Sequence, residues 1–210
     1  MAHTTKLDGR REAGERTRQR LIQAARALVA ERGRAGVTLR AIAEAADANV
    51  AAVSYHFGST DALLHSTIEE ALEALTQAQI DGLERLGDSA SLAEIAAAWA
   101  GPAVDALSGP PTEARTLIRI AAQTATDPSD DFRERVLTAG TRADPTLLAA
   151  LRRVLPEVSD DQLRFRKECA AGILHFMATG VMRYDLEHKT PDEVGGLLIP
   201  AITGALAGGP

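Results

Sequence analysis

Three segments of this chain carry the same helix-start signal: Ser91-Leu92-Ala93-Glu94, Ser159-Asp160-Asp161-Gln162 and Thr190-Pro191-Asp192-Glu193. In each, a hydroxyl can accept from the amide three residues on, while the Glu or Gln reaches back to the first residue's own amide. Stop signals fall between such starts at intervals of one helix, and no stretch alternates Val, Ile, Thr and aromatic residues between turns. For a chain of 210 residues this pattern leaves one fold class, all-α. That length buries a core without staples. The single cysteine, Cys169, allows no intramolecular disulfide framework and no all-cysteine metal site.

The first helix reads from about Arg16 to Arg32, with Leu21, Ala25, Leu28 and Val29 on one face and Gly33 ending it. Thr38 caps a short second helix whose apolar face is Leu39, Ile42, Ala43 and Ala46. Asp47-Ala48-Asn49 makes a tight turn, and Asn49 caps a third helix from Val50 to about Phe57. Gly58-Ser59 breaks the chain before a long fourth helix from Thr60 or Asp61. Ser91 opens a fifth, and Pro110-Pro111-Thr112 ends it and caps a sixth. Thr126 to Asp131 reads as a loop before a seventh, interrupted near Gly140 and restarted by Asp144 as N-cap with Pro145 at N1. Pro200 should kink or break the last helix. The expectation is about nine helices with no repeat: a flexible basic arm over 1–15, a three-helix module over 16–60, and a helical domain over 61–210.

No run approaches the roughly 18 to 20 apolar residues of a membrane span, and the polar N-terminus has no secretory h-region. The expected setting is cytoplasmic, with no membrane partner. A formal net charge of −6 argues, taken alone, against a nucleic-acid partner. Its distribution changes the argument. Residues 1–65 carry ten Lys/Arg and seven Asp/Glu, whereas residues 66–210 carry thirteen and twenty-two, so a net of +3 is fused to a net of −9. The basic part fits either a phosphate grip or a solvated basic helix, and charge does not separate the two.

The second and third helices are the informative ones. Two short helices joined by a three-residue turn make a helix-turn-helix, whose second member can lie in a DNA major groove. Ala51 and Ala52 permit close approach there, and Val50 or Ala51 can touch thymine methyl groups. Ser54, Tyr55 and His56 end the helix with hydrogen-bonding tips for bases or phosphates. Val53 and Phe57, four residues apart, should face the module's own core. A plain helical hairpin inside an all-α core has the same outline.

The literal sequence goes further. Thr38-Leu39-Arg40-Ala41-Ile42-Ala43, followed by Asn49-Val50-Ala51-Ala52-Val53-Ser54-Tyr55-His56-Phe57-Gly58-Ser59, resembles the DNA-binding signature of TetR-family regulators. The resemblance covers residues 16–65. It implies that Thr38 donates to a phosphate, Arg40 reaches a base edge or the backbone, and Val50 and Ala51 contact bases. It also implies that Ser54 and Tyr55 meet base edges or backbone and His56 a phosphate, with Asn49 and Thr60 flanking them in the same DNA-facing set. Two positions depart from the family's habit. Asp47 stands where a glycine is common at or next to the turn, and Thr60 where a lysine often neutralises phosphate. Residues 41–65 contain no Lys or Arg. The phosphate grip is therefore expected from Lys6, Arg10, Arg11, Arg16, Arg18, Arg20 and Arg40.

The same resemblance implies a homodimer on an operator in double-stranded DNA, and a C-terminal domain that binds a small-molecule effector. Independently, the helix from Ser159 is apolar on two faces, with Cys169, Ile173, Phe176 and Gly180 on one and Ala170, Leu174, Met177 and Val181 on the other. The last helix is rich in small residues: Gly195, Gly196, Ala201, Gly204 and Ala205. Phe165, Cys169, Ile173, Phe176, Leu197 and Ala201 form the expected dimer surface, the alternative being a core pair within one chain. Trp99, Gln123, Thr124, His175 and Met177 are candidate effector-lining residues, each also a plausible plain core residue. Cys169 reads as an inert buried thiol. The histidines at 3, 56, 65, 175 and 188 offer no metal spacing, and there is no phosphate loop or nucleophile elbow. No metal, cofactor or enzymatic activity is expected; a helical enzyme or a protein-interaction module without DNA binding is the alternative.

Overall fold

The computed structural model describes residues 2–32, 37–110, 112–126, 132–181, 186 and 188–208, with side chains from residue 12 onward. Among the described residues every regular element is a helix: α1 (Ala2–Arg32), α2 (Leu39–Ala45), α3 (Val50–Phe57), α4 (Thr60–Glu84), α5 (Leu92–Leu107), α6 (Glu113–Thr126), α7 (Arg133–Gly140), α8 (Asp144–Val154), α9 (Asp160–Thr179) and α10 (Pro191–Ala207). They divide into two compact units, Met1–Glu70 and Ala71–Pro210. The interruption near Gly140 separates two helices, α7 and α8. Gly33 and most of the loop expected over Thr126 to Asp131 lie outside the described residues.

In the first unit, α1 packs on α2 and α3, and α2 on α3. Leu21, Ile22 and Val29 of α1, Ile42 of α2, Val53 of α3, and Leu63 and Ile68 of α4 are buried. Helix α1 begins at Ala2, so residues 2–15, expected as a flexible arm, are helical. Lys, Leu, Arg, Glu and Ala in this stretch are good helix formers, and Gly9 and Gly14 cost only about 1 kcal/mol each relative to alanine.

The turn between α2 and α3 is closed by backbone geometry. The Ala48 amide donates to the Ala43 carbonyl (2.9 Å) and the Asp47 amide to that of Glu44 (3.2 Å), the paired bonds of a Schellman motif. That motif puts its C′ residue in the left-handed region, where glycine is usual. Here it is Asp47, at φ +47°, the one non-glycine among the described residues with positive φ. Aspartate tolerates this region better than most residues.

In the second unit, α5 runs along α10, α10 packs on α9, and α9 on α6. Trp99 sits in the shared core with Ile95, Leu151, Leu163, Ile202 and Leu206. The capping boxes at Ser91, Ser159 and Thr190 all form. Pro102 and Pro200 lie inside α5 and α10, and neither ends its helix. Pro102 has no amide for the Ala98 carbonyl four residues before it. A Cβ on Gly82 of α4 would stand 2.9 Å from that carbonyl oxygen, so only glycine admits α4 this close. Beside it, Gln79 Nε2 donates to the Trp99 carbonyl (2.9 Å) in a buried contact. At the far end of α10, the Arg166 guanidinium donates to the Leu206 and Ala207 carbonyls, a cation at a helix C-terminus.

Asp144 corrects the sequence reading. The N-cap of α8 is Ala143, without a side-chain bond, and Asp144 is already helical. Its carboxylate accepts from Lys167 Nζ (2.7 Å), an ammonium only 4% exposed that also pairs with Glu168 (2.6 Å). A charge this buried needs its partner more than a helix end needs a cap. Burial disfavours the Lys167 ammonium, but the bonds to Asp144 and Glu168 outweigh it and hold the pKa above the ordinary lysine value.

Two outcomes are expected in thermal or denaturant unfolding. Asp47→Val should cost about 1 to 2 kcal/mol, whereas Asp47→Gly should be neutral or stabilising, because only the β-branched residue is strained at positive φ. A lysine pKa raised by folding contributes stability that is full at neutral pH and lost as pH rises through the folded value. Wild-type protein should therefore lose stability more steeply above about pH 10.4 than a Lys167→Met variant, which is less stable at neutral pH.

Candidate nucleic-acid interface

Helix α3 is two turns long and is held at both ends. At its start the Asn49 side-chain oxygen accepts from the Ala52 amide (2.7 Å); at its end Gly58, at φ +77°, returns its amide to the Ser54 carbonyl (3.0 Å). Val53 is fully buried. At 100° per residue, Val50, Ala51, Ser54 and Tyr55 fall within an arc of roughly 140° on the other side. All four are exposed to solvent, Val50 by 44% and Tyr55 by 84%. The helix therefore presents a slim start (Val50, Ala51) and a polar, aromatic end (Ser54, Tyr55), a shape a major groove admits.

His56 and Phe57 differ from the exposed set. Both are half-buried, so Phe57 does not join Val53 in the core as its spacing suggests. Its ring instead lies under the Arg18 guanidinium, with Cζ 5.5 Å from the ring centroid. The His56 ring stands edge-on to Tyr55 (5.1 Å between centroids), and a Cβ on Gly14 would lie 3.8 Å from its Cε1, so α1 passes beside it at van der Waals distance.

The caps leave donors free. Thr38 Oγ1 accepts from the Ala41 amide (3.2 Å) and Asn49 Oδ1 from that of Ala52, so the hydroxyl proton and the amide NH₂ remain available to an acceptor. Ser59 repeats the arrangement at α4, its Oγ accepting from the Ala62 amide (3.0 Å), beside the half-buried Thr60. The sequence marks Ser59 only as part of a break, because no Glu or Gln follows at the third helical position. These side chains mark helix N-termini, whose free amides and dipole favour phosphate.

The cations expected to grip phosphate are not equivalent. Arg20 and Arg40 are exposed and, among the described residues, in no ion pair. Arg16 is exposed and pairs with Glu12 at 3.7 Å. Arg18 is turned inward toward Glu15 (3.6 Å) and Glu70 (3.5 Å). The side chains of Lys6, Arg10 and Arg11 lie outside the described residues.

In the second unit, Trp99 and Met177 belong to one apolar core, and Thr124 is buried. Gln123 is exposed and donates to the Thr179 carbonyl (3.3 Å). His175 is half-buried, and burial alone holds its pKa below the ordinary value. On α9 the face of Ala170, Leu174 and Met177 is buried, while Phe165, Cys169 and Phe176 are exposed and Ile173 is half-buried. Leu197 and Ala201 of α10 are exposed. Cys169 is thus an exposed thiol, not a buried one: the core takes the other side of α9. Among the described residues no His, Cys, Asp or Glu cluster could hold a metal ion, and no helix is long and apolar enough to cross a membrane.

Residues 21–67 match the family model of bacterial regulatory proteins of the tetR family, and residues 97–209 match that of the tetracyclin repressor-like C-terminal domain. Among curated proteins none matches the chain. Solved structures share the fold at low identity. The TetR-family transcriptional regulator PfmR from Thermus thermophilus is 19% identical, with 90% of this chain and 97% of that one covered at a TM-score of 0.61. A TetR-like transcriptional regulator from a Rhodococcus species is 16% identical, with 92% and 97% covered at 0.61. AibR, solved in complex with isovaleryl coenzyme A and operator DNA, is 13% identical, with 90% and 97% covered at 0.61. With one model spanning the helix-turn-helix and another more than half of the chain, this protein belongs to the tetR family of DNA-binding transcriptional regulators, which are not enzymes.

Proposed function

We propose that the protein is a cytoplasmic, one-component repressor that binds a near-palindromic operator as a homodimer and is released by a small-molecule effector held in Ala71–Pro210. The observation that carries the reading is the sidedness of α3: Val53 is buried while Val50, Ala51, Ser54 and Tyr55 are exposed together. In this reading Val50 and Ala51 meet base edges and thymine methyls, and Ser54 and Tyr55 meet base edges or backbone. Thr38, Asn49, His56, Ser59 and Thr60 position the module on phosphates, with Arg20 and Arg40 supplying charge.

Dimerisation is supported by two exposed apolar stripes on adjacent helices. Phe165, Cys169 and Phe176 recur on α9, and Leu197, Ala201 and Gly204 on α10, with Phe165 69%, Phe176 51% and Leu197 51% exposed. Paired about a two-fold axis, they form a four-helix interface. Two recognition helices would then meet successive major grooves roughly 34 to 36 Å apart, or a multiple of that spacing. An effector releases DNA only by its differential affinity for the binding and non-binding conformations. Trp99, Gln123, Thr124, His175 and Met177 are the proposed candidates for its contacts. AibR, solved with both a small molecule and operator DNA, supports this division of labour.

Selection from a random-sequence duplex pool should recover a near-palindromic site. On that duplex Tyr55→Ala should weaken binding about tenfold, the loss of one base-edge contact, while stability changes by less than about 0.5 kcal/mol. Unchanged affinity would overturn the role of α3. Phe176→Glu should convert the dimer to monomer in light scattering and weaken binding to the same duplex about a hundredfold or more, because the two half-sites no longer act together. A dimer that survives this substitution would remove α9 from the interface.

A further inference from the structure

Among the described residues expected to grip phosphate, Arg18 is the one whose guanidinium meets an aromatic ring and two carboxylates. Its guanidinium lies over the half-buried ring that ends the module's aromatic run, with Cζ 5.5 Å from the Phe57 ring centroid, and the same group faces Glu70 at 3.5 Å and Glu15 at 3.6 Å. It is about one-third exposed, as is Glu70. One side chain thereby joins three elements: α1, which carries it, the last residue of α3, and α4. From this geometry we infer that Arg18 is a positioning residue for the recognition helix, clamping the C-terminal end of α3 between α1 and α4, and is not a phosphate contact.

The clamp falls where α3 most needs it. Val53 anchors the middle of the helix and Asn49 its start, but Tyr55 and His56 stand at the end, followed by Gly58. An end residue that is only half-buried holds its neighbours weakly, and Tyr55, 84% exposed, has the His56 ring as its aromatic neighbour. A guanidinium over Phe57 fixes the angle of that last turn without filling the face toward DNA. A planar cation is suited to stack on a ring and pair with a carboxylate at once.

The inference rests on α3 being the reader, and its test gives an opposite sign from simple electrostatics. Glu70→Gln makes the module more basic. If charge alone set affinity, this variant would bind every duplex more tightly. If Glu70 orients Arg18, it should bind the selected duplex about three- to tenfold more weakly, with binding to poly(dI-dC) not weakened. Arg18→Gln should lose the same discrimination, the double variant should lose little more than either, and the salt dependence on the selected duplex should keep its slope. Phe57→Leu, which keeps an apolar side chain without a π face, serves as a second probe if Glu70→Gln melts near the assay temperature. A tighter or unchanged Glu70→Gln, or an Arg18→Gln slope reduced by about 0.9, one phosphate's worth, would overturn the clamp. Weakened Tyr55→Ala beside such a result sinks the clamp alone, and an unaffected Tyr55→Ala sinks the reader and the clamp together.

Discussion

An isolated helix of eight residues does not hold its shape in water, since nucleation costs more than two turns of hydrogen bonds return. Helix α3 is such a helix, and the whole first unit is arranged around keeping it folded from one side. Val53 supplies the only fully buried contact, Asn49 and Gly58 close its two ends, and the Schellman turn at Asp47 sets the angle at which it leaves α2. What remains on the exposed side is Val50, Ala51, Ser54 and Tyr55, none of them committed to the core. Reading DNA needs such a surface: side chains already committed to packing could not exchange partners with bases.

This arrangement also explains why net charge is a poor guide here. Between residues 41 and 65 there is no Lys or Arg, so α3 presents shape and hydrogen-bonding groups without either basic side chain. The basic residues of the first unit are concentrated in α1 and at Arg40, while the acidic excess belongs to Ala71–Pro210. At physiological ionic strength charges more than about 8 Å apart in solvent are largely screened. Arg20 and Arg40 can therefore act locally in a chain whose total is −6. Within α1 the cations divide again, since Arg18 is occupied by Phe57 and two carboxylates.

What the sequence made legible was local. The caps at Thr38, Asn49, Ser91, Ser159 and Thr190 all form, because a cap is decided within four residues. The helix-turn-helix and the faces of α3 followed from those caps and from Val53. What was not legible depended on partners distant in the chain. Asp144 looked like a cap until Lys167, twenty-three residues on, claimed its carboxylate. Phe57 looked like core until Arg18 met it from α1. Cys169 looked buried because α9 is apolar on two faces, and nothing local says which face the chain's own core takes. The start of α1 is not legible in the sequence for another reason. Its first turns have no apolar periodicity to reveal them, and a polar, charged stretch reads equally as arm or as helix.

The small residues of the last two helices sharpen the question of what covers that outer face. Gly172 of α9 and Gly196 and Gly204 of α10 are exposed, and a Cβ at any of them would meet nothing within 4 Å. Each costs about 1 kcal/mol of helix propensity relative to alanine, and no contact among the described residues requires it. Gly82 is the opposite case, where the Ala98 carbonyl forbids any side chain. Glycines that the chain itself does not need, set beside Phe165, Phe176 and Leu197 on the same two helices, make sense if another backbone comes close. In the proposed dimer a second copy would bring the same glycines and the same aromatic rings to the axis, offering each ring a place where the opposing helix has no side chain. That self-complementarity is what a two-fold interface demands, and a two-fold protein in turn demands an operator with the same symmetry.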